Sequence, residues 1–243
     1  MNRKPKIYII KFNKRFLTLA GIILIIILGI VFLNNSRASK IFNYKVKQTI
    51  VIDPGHGGID GGTGDPKDVL EKDINLDIGS KLKKELLVEG FDVVMTREQD
   101  ESLEDLSDIN SSRYRRDLDA RKSIINNHEP LVYVSIHVNS SKSSSARGVK
   151  VYHFPSSEEG KELAETIANS VDTYLYGELL KDDNLSSEVL SENFYILRET
   201  KYTGVLVEAG FITNPEENRL LKDQKYKEKL AFAIKKGILE YLK

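Results

Sequence analysis

The 243-residue chain has no cysteine, no tryptophan, two methionines and only four histidines. Without cysteine there are no disulfides, thiolate metal sites, iron–sulfur clusters or thiol nucleophiles. Any metal site must be built from histidine and carboxylate, and the histidines to search are His56, His128, His137 and His153. Excess charge of either sign is also missing, since 36 Lys plus Arg face 36 Asp plus Glu. That zero is a cancellation: residues 1–38 carry seven basic side chains and no acid, leaving 29 bases against 36 acids in the remainder. The larger part is therefore acidic, and nucleic acid is not an expected partner.

Long apolar runs are scarce, with one exception. Phe16 to Leu33 is an 18-residue stretch without a charge, preceded by Arg3, Lys4, Lys6, Lys11, Lys14 and Arg15. A helix of that length crosses most of a hydrocarbon layer, and positive flanks stay on the cytoplasmic side. The expected organisation is a basic cytoplasmic segment (1–15), a transmembrane signal-anchor (16–33), a polar tether (34–48) and a folded domain (49–243) exported to the outer face of the membrane. The length of the run favours a retained anchor. Ser36-Arg37-Ala38 keeps the alternative open, because it offers small residues where a signal peptidase cuts and would release the domain.

From Thr49 onward, short β-branched runs alternate with amphipathic stretches. Strands are predicted at 49–53, 91–96, 131–138, 148–154, 193–197 and 204–207, and helices at 71–89, 117–127, 157–175 and 225–242. Ile74, Ile78, Leu82 and Leu86 recur every fourth residue before Gly90, the pattern of one buried helix face and a stop. Residues 98–113 and 177–192 read as polar surface excursions. The alternation predicts a three-layer α/β/α domain with a mostly parallel twisted sheet, in addition to the N-terminal transmembrane helix or signal segment.

In such folds ligands lie beyond the carboxyl ends of the strands. The first strand delivers Asp53-Pro54-Gly55-His56-Gly57-Gly58, the third Ser135-Ile136-His137-Val138-Asn139, and the last Val207-Glu208-Ala209-Gly210-Phe211, while Glu71 opens the first helix. The glycine-rich turn is not a phosphate loop: G-x-x-x-x-G-K-[ST] is absent, and Asp60 fills the last glycine position of G-x-G-x-x-G. Its glycines instead give a tight path that lets His56 project. His56, Glu71 and His137 form a cysteine-free zinc set with a fourth position open to water, and amide hydrolysis then needs a proton-transferring carboxylate, for which Glu208 is the candidate. H-E-x-x-H is absent, which argues against a thermolysin-like protease.

TIVIDPGHGGIDGG, LEKDINLDIGSKLKKELLVEGFDVVMTRE, DLDARKSIIN, YVSIHVNS and GVLVEAGFITNPEE resemble, in order, the motifs of zinc-dependent N-acetylmuramoyl-L-alanine amidases of the amidase-3 type, from about Thr49 to Leu242. The resemblance implies that His56, Glu71 and His137 bind zinc and that Glu208 is catalytic. It implies a substrate, the amide between the lactyl group of N-acetylmuramic acid and L-alanine of the peptidoglycan stem peptide. The compact chain is most similar to the germination-specific, spore-cortex members. For those, the implied product leads, after a peptidoglycan deacetylase has acted, to muramic-δ-lactam, and an accessory exported protein is an implied partner. Lys201-Tyr202-Thr203-Gly204 departs from a proline common in the family before LVE. A catalytically weak anchored wall-binding protein and a metal-dependent peptidoglycan deacetylase are the alternative functions, although the usual Asp and paired-His motif of the latter is missing.

The remaining candidates have plainer readings. His153 reads as a partly buried strand residue and His128 as a turn residue facing water. Asp53 either orients a ligand histidine or caps the turn, and Asn139 either contacts substrate or stabilises its bend. Arg113, Arg115, Arg116 and Arg121 read as a solvated helix face, with Arg121 matching a structural arginine of the family. Asn214 and Pro215 read as the cap and first turn of a helix.

Overall fold

The computed structural model describes residues 15, 18–19, 21–28 and 48–243, in two units, Met1–Val46 and Lys47–Lys243. In the first unit, residues 21–28 are helical and expose their isoleucine and leucine side chains by half or more. Among the described residues no helix is long and apolar enough to cross a membrane. The rest of the expected 16–33 span, and nearly all of the basic segment and tether, lie outside the described residues.

The second unit is an α/β domain. In chain order its elements are β1 (Thr49–Pro54), β2 (Gly64–Asp65), β3 (Val69–Leu70), α1 (Glu71–Val88), β4 (Asp92–Met95), α2 (Arg113–Asn127), β5 (Val132–Asn139), β6 (Lys150–His153), α3 (Glu158–Ser170), β7 (Glu188–Ser191), α4 (Tyr195–Glu199), β8 (Gly204–Phe211), α5 (Pro215–Lys222) and α6 (Gln224–Tyr241). Six strands form one sheet in the order β4-β1-β5-β8-β6-β7. All neighbours are parallel except β6 against β8.

The two-residue period of the strands sorts the core into two layers. Ile50, Ile52, Val134, Ile136, Val205 and Val207 join Ile74, Ile78, Leu82 and Leu86 of α1, with Leu163 and Ile167 of α3 and Leu230, Ile234 and Ile238 of α6, in one cluster. Val51, Tyr133 and Leu206 pack with Ile125 of α2 and Ile196 and Leu197 of α4 in another. The four α1 residues singled out by their spacing are essentially water-free, each worth roughly 2 kcal/mol of burial.

Ser112, Ser157, Asn214 and Asp223 accept backbone N–H bonds at the starts of α2, α3, α5 and α6, as expected for Asn214. α1 has no such cap. Its first residue, Glu71, turns its carboxylate into the site, while the Glu71 N–H bonds the carbonyl of Thr63 beside the β2–β3 hairpin.

Residues 193–197 do not form a strand: Tyr195–Glu199 is a single helical turn, and the sheet edge is taken by Glu188–Ser191, from within the expected excursion. Short apolar runs carry no period long enough to separate strand from helix, and Tyr133 Oη donating to the Ile196 carbonyl at 3.0 Å pins the turn under the sheet. The 157–175 helix runs further than expected, continuing as a π-helical segment, Val171–Leu180. α2 begins four residues before position 117.

Candidate metal centre and active site

β1 ends at Pro54, and the Gly55 N–H bonds the Ile136 carbonyl on β5 at 2.9 Å. His56 follows with φ of 61°, left-handed backbone that disfavours a side chain. It is held there by two buried arginines. Arg97 donates to the carbonyls of Pro54 and Gly55 (2.9 Å each), and Arg121 to those of Pro54 (2.7 Å) and His56 (2.6 Å). Both residues are 2% exposed. Burial, then the neighbouring charge of Arg121, pulls the pKa of Arg97 down to about 10.

Arg121 is therefore not part of a solvated face. Asp53 plays neither role expected of it: its carboxylate accepts from Arg121 (2.8 Å), Thr96 (2.7 Å) and Ser135 (2.7 Å), and no imidazole. Although burial works to raise it, the Arg121 charge and these hydrogen bonds hold Asp53 below the ordinary carboxylate range. Arg121→Met is expected to destabilise the domain by about 3–5 kcal/mol, because it strands a buried carboxylate; urea denaturation measures this.

The structure brings His56, Glu71 and His137 together, with one ligand atom of each within 4.8 Å of the others. His56 Nε2 and His137 Nδ1 stand 3.1 and 3.0 Å from the same oxygen, Glu71 Oε1. The carboxylate is fixed from behind by the N–H groups of Val138 (3.0 Å, to Oε1) and Thr63 (2.9 Å, to Oε2). Burial works to raise the pKa of Glu71, but hydrogen bonds and charge from His137 and His56 outweigh it and hold the group well below the carboxylate range. Against the cost of burial, Glu71 and Asp60 push His56 up to about 9. The cluster thus concentrates negative charge and imidazole nitrogen at one point, and among the described residues no lysine or arginine pairs with Glu71 there. That is a donor set suited to a borderline divalent cation such as zinc.

The partner of His56 is Asp60, whose Oδ2 lies 2.8 Å from Nδ1. This leaves Nε2 facing the centre. An acid four residues after a ligand-type histidine was the available signal. Arg97 was also missed by sequence reasoning.

Gly55 has a sharper requirement than a tight turn: a β-carbon there would stand 2.2 Å from Cε1 and Nε2 of His137. Gly55→Ala is expected to displace that ring and weaken zinc binding by about 10–100-fold, the range for lost positioning of a ligand; calorimetric titration with zinc tests this.

Glu208 sits at the register position beside His137 on β8. Its Oε2 is buried and has no hydrogen-bond partner among the described residues. Burial above all, with a smaller contribution from Glu71, raises its pKa to about 7, while His137 and His56 work the other way. Just beyond it the register slips, with His137 opposite Glu208 but Asn139 opposite Phe211. A bulge beside an active centre re-aims side chains, and Gly210 supplies the positive φ of 142°. Buried Glu217 clamps this end of β8, accepting from the Phe211 and Gly148 N–H groups at 2.7 Å each. Asn139 stabilises its bend, through its side-chain oxygen to the Ser140 N–H and its carbonyl to the Ile212 N–H.

His153 is a buried strand residue and His128 caps α2 in solvent, as expected. Lys201–Gly204 precede and open β8, and Gly204 lies four residues before Glu208 on that strand.

The family model described as N-acetylmuramoyl-L-alanine amidase (Amidase_3) matches residues 50–240. The germination-specific N-acetylmuramoyl-L-alanine amidase of Bacillus subtilis (strain 168) is 32% identical over 225 residues, 92% of each chain. The "Probable cell wall amidase LytH" of Staphylococcus epidermidis is 33% identical over 196 residues, 80% of this chain and 58% of that protein. Among solved structures, the CwlD amidase of Clostridioides difficile in complex with the GerS lipoprotein is 36% identical with a TM-score of 0.72, over 80% of this chain and 98% of that one. The N-acetylmuramoyl-L-alanine amidase AmiC2 of Nostoc punctiforme is 31% identical with a TM-score of 0.67, over 81% and 97%. The chain therefore belongs to the amidase-3 family of N-acetylmuramoyl-L-alanine amidases, enzymes that hydrolyse peptidoglycan.

Proposed function

We propose that His56, Glu71 and His137 hold a zinc ion and that Glu208 carries the proton in hydrolysis of the amide between the lactyl group of N-acetylmuramic acid and the stem-peptide L-alanine. The observation that carries this is the convergence of two imidazoles on one oxygen of Glu71, next to a raised carboxyl with an unpartnered buried oxygen. Zinc, when bound there, supplies a Lewis acid that activates water near neutral pH and polarises the carbonyl.

The protein's own groups do the rest. Val138 and Thr63 keep Glu71 in place, Asp60 fixes the His56 tautomer, and the arginine pair holds the loop. Glu208, poised near the operating pH, takes the proton from water and delivers it to the departing alanine nitrogen.

The domain works in the cell wall space, on spore cortex, where its product, after a peptidoglycan deacetylase has acted, becomes muramic-δ-lactam for germination. Support comes from the similarity to the germination-specific amidase along 92% of each chain. Residues 16–33 serve as its signal-anchor, on the strength of the charge-free run behind a basic segment. The pairing of the CwlD amidase with the GerS lipoprotein supports an accessory exported protein. Zinc-loaded protein incubated with sacculi is expected to release new L-alanine amino termini, and a chelator to stop it; acetate release with stem peptides still attached would reject the amidase reading in favour of a deacetylase.

A further inference from the structure

Two adjoining cavities lead away from the centre on the His56 side. The larger, of about 480 Å³, is lined by His56, Asp60, Ser102, Glu104, Arg113 and Tyr114, among others. The smaller shares His56, Asp60, Tyr114 and Asp117 with it and reaches His137. They adjoin at these residues, between the paired imidazoles and the first turn of α2. Tyr114 stands in the wall of both cavities, yet is 64% exposed. Glu104 gives one oxygen to Arg113 Nε at 3.2 Å, while its other oxygen is buried with no hydrogen-bond partner.

The sheet order gives the site a direction. His56 follows β1, His137 ends β5, Glu208 lies on β8, and Lys150 of β6 is next in register beyond Glu208. This step rests on the amidase reading: if Glu208 protonates the departing alanine nitrogen, the stem peptide leaves over β8 and β6, past Lys150. The acyl half, with the sugar that bears the lactyl group, then lies towards β1. The cavities are on that side.

Their chemistry agrees. Asp60, Glu104 and Asp117 line the walls, each already paired: with His56 at 2.8 Å, Arg113 at 3.2 Å and Arg121 at 2.6 Å. A lining whose charges are paired in this way is close to neutral and offers the carboxylates of a stem peptide no free counter-charge. It suits a neutral ring whose hydroxyls donate to carboxylate oxygens, with an exposed aromatic face as its apolar platform.

We propose that this cavity is the subsite for the N-acetylated sugar ring carrying the scissile lactyl group, with Tyr114 and Glu104 as its specificity-determining residues. Competitive inhibition tests this. Peptide-free glycan fragments are expected to inhibit the wild-type zinc enzyme, and Tyr114→Ala to raise their inhibition constant about tenfold. Glu104→Gln is expected to act in the same direction, and in both variants the inhibition constant of free stem peptide and the zinc content stay at wild-type values.

Failure of glycan to inhibit a wild type that cleaves muropeptides would overturn the subsite and leave the amidase reading intact. So would a Tyr114→Ala effect that falls on the stem peptide instead. A zinc-loaded wild type that does not cleave at all would overturn the reading on which the subsite rests.

Discussion

Glu208→Gln is expected to retain zinc, lose about 10²–10⁴-fold in kcat/KM, and gain stability. The last effect is the unusual one, and it follows from the burial of the Glu208 carboxyl. Glu208 has a folded pKa of about 7 against an ordinary value of 4.5. Between those values the unfolded chain has given up the proton that the folded chain still holds. Stability therefore falls as pH rises through this window, and above pH 7 the loss amounts to about 3 kcal/mol in metal-free protein. Glutamine removes the ionisation, so the metal-free variant should be the more stable one at pH 8, and the two proteins should converge near pH 4. Denaturant titrations at the two pH values measure this directly. A variant with the same pH dependence as wild type would mean that Glu208 is not the strained group.

His137→Ala is expected to lose both metal and activity, the latter by about 10³-fold or more, since a Lewis acid supplies several kcal/mol of transition-state stabilisation. The structure gives a reason why the remaining residues cannot compensate. Glu71 Oε1 is the meeting point of both imidazoles, and two protein ligands fall short of the three that a hydrolytic zinc site uses. Elemental analysis of the purified variant, beside its rate on sacculi, separates this outcome from that of Glu208→Gln.

Much of the candidate site is legible because cysteine is missing and histidine is rare. Two of four histidines fall directly after β1 and at the end of β5, where α/β sheets place their ligands, and Glu71 and Glu208 lie at the same rim. The core faces of α1 were equally plain from a four-residue spacing. What stayed hidden depends on backbone turned by contacts distant in sequence. Asp53 precedes the glycine turn and is an obvious outer partner for an imidazole. Yet the left-handed backbone at His56 swings its ring to Asp60 instead, and Asp53 is left to the buried arginines. Arg97 and Arg121 look like surface charges in sequence because their acceptors, the carbonyls of residues 54–56, belong to a loop more than 40 positions away. The strand at 188–191, inside an expected surface excursion, and the helical turn at 195–199, where a strand was expected, have a similar cause: both runs are short, and the sheet edge rather than the local pattern selects which one extends.

The most direct test of the account measures metal content and muropeptide masses on the same samples of wild type, Glu208→Gln and His137→Ala. About one zinc per chain is expected in the first two and none in the third, with loss of stem peptides from muramic acid in wild type alone. Cleavage by Glu208→Gln at the wild-type rate, or zinc and activity persisting in His137→Ala, would contradict it.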